Sequence, residues 1–360
     1  MHVTLVGTGV SSLLLARALL RAGACERLTL VGPDRPLSAH VLSYWSDRPT
    51  PFDPFERKSW AQLDVFAGGR LARLPLHRYR YRSVDARAWA GATLAEVLHS
   101  GRAERVPAAV ERIEDDLLRP TVFCAGRRIA SDWVFASTPL PGSAPDAWQR
   151  FEGWELEAQG LDPSAATLMD FRTRAGGDFR FVYALPLGER RLFVEHVSYQ
   201  PCDHGQALEA YLRDVLRLDR WRLVDREGGA TPIHVEPLPR ASGRVVQIGV
   251  AAGLAKASTG YACLRLWRDA EGIAQALATR GELPLRLPWP SLYRVADRFF
   301  IDLLRKEPGQ IEALLAALFS AADPDAVLAF LDEEATPAEQ ARVAVAMPRW
   351  LSWALFSGAA

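Results

Sequence analysis

Apolar positions open the chain as a short block, Val3, Leu5 and Val6, and then recur at helical spacing from Gly9 to Gly23. A second short block, RLTLVGP, follows at 27–33. Strand, crossover helix and strand predict a βαβ unit with parallel strands. From Pro33 to Pro75 no period holds, and Pro, Trp and Asp are frequent, so this stretch reads as irregular. A strand near Tyr79–Tyr81 then leads into a helix capped near Ser83 or Asp85. Apolar blocks at 105–136 predict a small sheet returning to the first unit. Residues 179–200 read as a hairpin turning at Gly188 and Glu189. Residues 205–218 are helical in pattern, and RVVQIGVAAG at 244–253 is an apolar strand entering a Gly-containing loop before another helix. From about Ser291 the pattern is helical, broken at Pro308, Pro324, Pro337 and Pro348. The fold class expected is α/β: a Rossmann-like dinucleotide-binding domain over 1–150 and 241–290 that carries the irregular 33–80 segment, an antiparallel-sheet domain inserted at 151–240, and a C-terminal helical region at 291–360.

Charge narrows the function classes. Lys plus Arg and Asp plus Glu both number 43, so no global basic field calls for nucleic acid. Cys25, Cys124, Cys202 and Cys263 lie far apart without a CxxC pair, which argues against a disulfide framework and for a reducing compartment. Cys202 and His204 in PCDHG have no second ligand pair, so no metal is expected. The N-terminus enters a strand directly and no apolar run approaches ~18 residues, so neither a signal peptide nor a membrane span is expected and a cytoplasmic location is.

Two glycine-bearing segments suggest a nucleotide. Gly7 and Gly9 supply the first two positions of G-x-G-x-x-G, for the tight turn and for backbone approach to a pyrophosphate, and Ser12 replaces the third. The acidic residue that usually ends the second strand and holds a ribose is Gly32 here, with Asp34 two residues later as the candidate replacement. Gly249, Gly253, Thr259 and Gly260 look like a second, flavin-contacting segment in which a strand ends at Gly249 and a helix opens at Thr259–Gly260.

The strand RRLFVEHVSYQ at 190–200 sets a chemical problem. Alternation puts Phe193, Glu195, Val197 and Tyr199 on one face and Leu192, Val194, His196 and Ser198 on the other. If the first face is buried, Glu195 must find a cation or keep its proton.

These pieces, in this order, resemble the bacterial lycopene β-cyclase family, flavoproteins with a glutathione-reductase-type nucleotide domain. FRFVYALPLGERRLFVEHVSYQ at 179–200 is similar to a family hairpin whose second strand ends in a required Glu, on which Glu195 falls. LMDFRT places Asp170 on a family Asp, STGYA at 258–262 is similar to a segment beside the flavin, and REGGATPIHV carries Glu227 and Pro232 of another. Departures from the family pattern are Gly32, ASTPL at 136–140, Ala257, and SAHVLSYWS, which keeps only His40, Trp45 and Ser46. The resemblance implies FAD, active in its reduced form with NADPH as reductant, and a hydrophobic isoprenoid substrate. It implies Glu195 as the acid that protonates a polyene, Asp170 as its orienting partner or proton acceptor, and Tyr183, Phe193 and Tyr199 as aromatic faces toward the cation. Peripheral membrane contact is expected through PRWLSWALF at 348–356, where Trp350 and Trp353, with Leu351 and Leu355, form an apolar helical surface. Two other functions fit the pattern: a flavin monooxygenase or reductase of a small molecule, which would favour Asp after Gly249, and an isoprenoid-binding descendant with weak flavin binding.

Overall fold

The computed structural model describes residues 1–35, 41–116, 119–138, 144–173, 177–283 and 291–347. Its first sheet follows the predicted βαβ unit. His2–Val6 and Arg27–Val31 are parallel, with Leu5 opposite Leu30, and the helix Val10–Arg21 makes the crossover. Trp133–Ala136 pairs on the other side of His2–Val6, Ala103–Val106 lies beyond Arg27–Val31, and Val245–Gln247 continues the parallel order, with Ala241–Ser242 antiparallel at the edge. Parallel strands are covered on both faces, which is why they read as short unbroken apolar blocks. The helices Val10–Arg21, Ala86–His99 and Cys263–Arg280 cover one face. A small antiparallel sheet of Arg112–Glu114, Thr121–Cys124 and Arg127–Ala130 covers the other.

The 33–80 stretch is not irregular. Val41–Ser46 and Glu56–Trp60 flank Arg80–Asp85 in a three-stranded antiparallel sheet. Gln62–Ala67 and Arg70–Pro75 form a hairpin. These strands are only five or six residues long, and all but the hairpin strand Arg70–Pro75 pair with segments farther along the chain. The hairpin joins the sheet of the inserted domain, where Gln62–Ala67 runs parallel to Ala166–Asp170. That seven-stranded sheet runs in the order Trp221–Ile233, Ala147–Ala158, Arg191–Ser198, Arg180–Pro186, Ala166–Asp170, Gln62–Ala67, Arg70–Pro75. The hairpin expected at 179–200 is therefore near its centre.

The two faces of this sheet bury different cores. Leu192, Val194, Val182 and Ala184 pack under Leu208, Tyr211 and Leu212. Phe193, Val197, Tyr199, Phe181, Tyr183 and Leu185 share a core with the C-terminal helices Ser291–Lys306, Gly309–Ala321, Pro324–Leu331 and Pro337–Ala346. The alternation read from 190–200 is thus realised. No helix among the described residues is long and apolar enough to cross a membrane, and PRWLSWALF at 348–356 lies outside the described residues.

A buried ion cluster ties the C-terminal helices to the loop before Cys263–Arg280. Lys256 Nζ donates to both oxygens of Asp297, at 2.9 and 3.0 Å, and lies 3.3 Å from Glu333 Oε1. Arg265 donates to the same Glu333, and the Ser258 amide donates to Asp297 at 3.2 Å. All four charged side chains are buried. Removing one member of such a group strands its partner, which typically costs ~3–5 kcal/mol. Lys256→Met should lower unfolding stability by about that much in urea titrations at neutral pH; a loss below ~1 kcal/mol would show that the cluster does not anchor this loop.

Candidate active site

One cavity of about 490 Å³ lies where the nucleotide sheet meets the substrate sheet. Gly9, Val10, Ser11 and Ser137 line its nucleotide side, with Val250 and the segment Thr259–Cys263 beside them. Tyr183, Leu185, Phe193, Glu195, Val197 and Glu227 line the far side. The glycine turn and the candidate acid, far apart in sequence, therefore open into the same space.

The nucleotide side suits an anion. Gly7 has φ +103 and a Cβ there would fall 2.0 Å from Ser137 Oγ, so only glycine allows this turn. Ser12 is fully buried beneath it and donates to Ser137 Oγ at 3.4 Å, which is how serine serves in place of the third glycine. Gly9 caps the helix Val10–Arg21 without a side-chain hydrogen bond, and the first turn carries no acidic residue. Its amides face the cavity, and a Cβ on Gly9 would project into open space. Gly249 and Gly253 bracket a single 3-10 turn, and Gly249 packs on Ser11. Thr259 and Gly260 line the cavity, but the helix begins only at Cys263. Gln149 fixes this loop by donating to the Thr259 carbonyl at 3.3 Å. Asp34 is not brought to the cavity: its carboxylate is exposed and paired with Arg105 at 2.9 Å.

The acid side is organised by strand register. Gly153 pairs with Glu195 on one neighbour and with Glu227 on the other, and Glu195 pairs with Tyr183. Glu227, Gly153, Glu195 and Tyr183 thus form one row across four strands. A Cβ at Gly153 would fall 2.6 Å from the Phe193 ring and 3.2 Å from Glu227 Cγ, so the missing side chain is the space those two groups use. Glu195 has no hydrogen bond or ion pair among the described residues, and no Lys, Arg or His lines the cavity among them. Desolvation, and then the charge of Glu227, raise its pKa to about 8. Its exposed surface is exposed to the cavity. Glu227 differs: its Oε2 accepts the Val41 amide at 3.0 Å. Tyr81 and Tyr261 share a hydroxyl contact of 2.8 Å, and the Tyr183 ring stands edge-on to Tyr261 at 6.4 Å. Burial pushes all three phenol pKa values upward, so these groups remain neutral.

Two expected site residues lie elsewhere. Asp170 is fully buried on the opposite face, where Arg172 and the Tyr211 hydroxyl hold it, the latter at 2.8 Å. Its cross-strand neighbour is Val182, whose side chain points away from Tyr183, so Asp170 neither orients Glu195 nor meets a ligand in this cavity. Tyr199 sits behind the wall, its hydroxyl accepting from Gln149 at 3.1 Å and its ring against Phe179. Tyr183 and Phe193 do line the cavity. Sequence reasoning gave no role to Gly153, Gln149, Tyr81 or Glu227. A glycine inside the strand pattern AWQRFEGWELEA was the available signal for Gly153; the others depend on long-range register. On the Asp170 face, His196 joins Cys202 and His204, and the two imidazoles are in contact at 2.9 Å through their Nδ1 atoms.

A parallel sheet with a G-x-G helix terminus, joined to a seven-stranded sheet across a cavity, is the fold of FAD-type flavoproteins. Two solved structures share it throughout. A geranylgeranyl bacteriochlorophyll reductase-like protein from Thermoplasma acidophilum has TM-score 0.69 at 12% identity, covering 99% of this chain and 98% of that one. A flavoprotein/dehydrogenase from Cytophaga hutchinsonii has TM-score 0.69 at 10% identity, covering both chains completely. Residues 2–354 match the profile of the family described as Lycopene cyclase protein, and the chain belongs to that family. A curated relative, the lycopene beta-cyclase of Paracoccus sp. (strain N81106 / MBIC 01143), is 28% identical over 288 residues, 72% of this chain and 69% of the relative.

The raised pKa of Glu195 has a signature in stability. Between the usual carboxylate range and about pH 8 the folded chain keeps a proton that the unfolded chain releases. Stability should therefore fall as pH rises through that window. Glu195→Gln removes the term, so wild type should lose stability relative to the variant from about pH 5 to about pH 8, with a constant gap above. Parallel stability curves for the two proteins would show that Glu195 is ionised at neutral pH.

Proposed function

We propose that this protein cyclises the end group of a lycopene-like polyene without net redox change, as an intramolecular lyase or isomerase, with Glu195 as the acid. The observation that carries this reading is a carboxyl group with no hydrogen-bond donor or cation in reach among the described residues, facing a mostly apolar cavity. An alkene is a very weak base, so its protonation needs an acid that is still protonated, well aimed and shielded from water. Glu195 gives its proton to the terminal alkene, leaving a tertiary carbocation. The neighbouring double bond attacks, and loss of a proton yields the ring. Tyr183 and Phe193 offer π faces to the cation along the same wall. Val10, Val41, Leu42, Leu185 and Val197 exclude water that would trap it.

The residues present fit FAD at the pyrophosphate end. The open space at Gly9 and the uncapped first turn of Val10–Arg21 would hold the phosphates, and Thr259–Tyr261 would lie along the ring system. When bound in its reduced form, with NADPH as reductant, FAD supplies negative charge that favours a nearby cation. A substrate this insoluble is collected at a bilayer surface, which makes the protein peripheral to the cytoplasmic membrane.

Gly9→Asp should abolish flavin binding by placing a carboxylate where the phosphates would lie, read from the visible spectrum of the purified protein; a fully flavinated variant would refute this placement. Glu195→Gln should retain flavin and lose at least ~10²-fold in turnover. The assay is conversion of lycopene, with reduced flavin, to a product of equal mass. A product about two mass units lighter or about sixteen heavier would instead support the oxidoreductase alternative.

A further inference from the structure

The cyclisation mechanism needs a base as well as an acid, and Asp170, the sequence candidate, is on the wrong face of the sheet. Glu227 is on the right one. It is two strands from Glu195 in the same row, roughly 10 Å away at the Cα positions given the usual strand spacing. Gly153 contributes no side chain between them in that row, and the Phe193 ring packs over it in the space that a side chain there would take. Glu227 also borders a second space. A polar pocket of about 230 Å³ is lined by Glu227, Gly153 and Phe193 on one side and by Arg57, Glu155 and Arg87 on the other. Its outer wall reaches the surface, since Arg87 and Asp225 are exposed. One carboxylate thus separates an apolar cavity from a polar, solvent-accessible pocket, and the Val41 amide orients it.

We propose that Glu227 is the base of the reaction: it takes the proton that the cyclised cation loses and releases it to the polar pocket. This rests on the cyclase reading above. The balance is complete. The O–H bond of Glu195 breaks as the C–H bond at the terminal alkene carbon forms. The C–H bond beside the cationic ring carbon breaks as the O–H bond on Glu227 forms, and its electron pair closes the ring double bond. No electron is gained or lost. Water in the polar pocket removes the proton from Glu227, and Glu195 regains one from solvent as product leaves. Acid and base are kept distinct by their surroundings: one carboxyl has no donor in reach, and the other receives a backbone N–H.

The test is a partition ratio, which does not depend on how much of a variant is folded. Wild type, Glu227→Gln and Glu227→Asp are given lycopene in detergent micelles with FAD and dithionite in deuterated water. Two quantities are read by mass spectrometry: rings formed, and deuterium in recovered acyclic lycopene. Without a base, the cation reverts to alkene instead of completing the ring. Deuterated acyclic substrate per ring should rise at least ~10-fold in Glu227→Gln, and by less in Glu227→Asp, which keeps the charge but withdraws it by a methylene. If wild type forms deuterated rings and neither variant changes the ratio, Glu227 is not the base and the cyclase reading stands. If wild type forms no ring and exchanges no deuterium, the cyclase reading fails and this role falls with it.

Discussion

Burial raises the pKa of a carboxyl group only where nothing nearby stabilises its anion, and among the described residues the surroundings of Glu195 meet that demand. A single arginine in the cavity, or one backbone N–H aimed at the carboxyl, would return it to the ordinary range. The strand Arg191–Ser198 lies inside the sheet between two antiparallel neighbours, so its own amides are used in the ladder. The side chains around Glu195 on its face are aromatic, aliphatic or phenolic, and the phenols are themselves held neutral by burial. The charge that does face it, on Glu227, has the sign that keeps the proton on.

The same constraint explains the division between the two sheets. The nucleotide sheet presents a helix terminus with unpaired amides, which attract negative charge. The seven-stranded sheet presents Glu195, whose pKa burial raises. Placing that carboxyl next to those amides would lower its pKa. The cavity separates them, with the helix terminus on one side and Glu195, beside Tyr183, on the other.

Much of this was legible in the sequence, and the rest was not for a definable reason. The βαβ unit, the 179–200 hairpin and the facing of Glu195 follow from periods two and 3.6, which are local. The position of Asp170 required the register of Ala166–Asp170 on Arg180–Pro186, which contains an irregularity between Thr167 and Asp170. That shift settles which face receives the carboxylate, and nothing in LMDFRT announces it. The strands at 41–46 and 62–67 were missed because each pairs with a strand remote in sequence, and 70–75 extends the sheet as the hairpin partner of 62–67. Gly153 carried a partial signal, a glycine within a strand, but its meaning needs Phe193 and Glu227 in place.

Charge placement beyond the cavity completes the picture. The chain carries as many cationic as anionic side chains by formal count, yet among the described residues none of the cations lines the cavity. Arg57, in the neighbouring polar pocket, is engaged with Glu155. The buried cations Lys256 and Arg265 lie behind Tyr261 and are matched by Asp297 and Glu333. An unmatched ammonium at that depth would act on Glu195 through a low-dielectric wall, where Coulomb forces are weakly screened. Matched, the four charges form a neutral group that fixes the loop from Lys256 to Tyr261 without exerting a net pull on the acid. Loop anchoring and acid tuning therefore make compatible demands, because the anchor is built from equal and opposite charges.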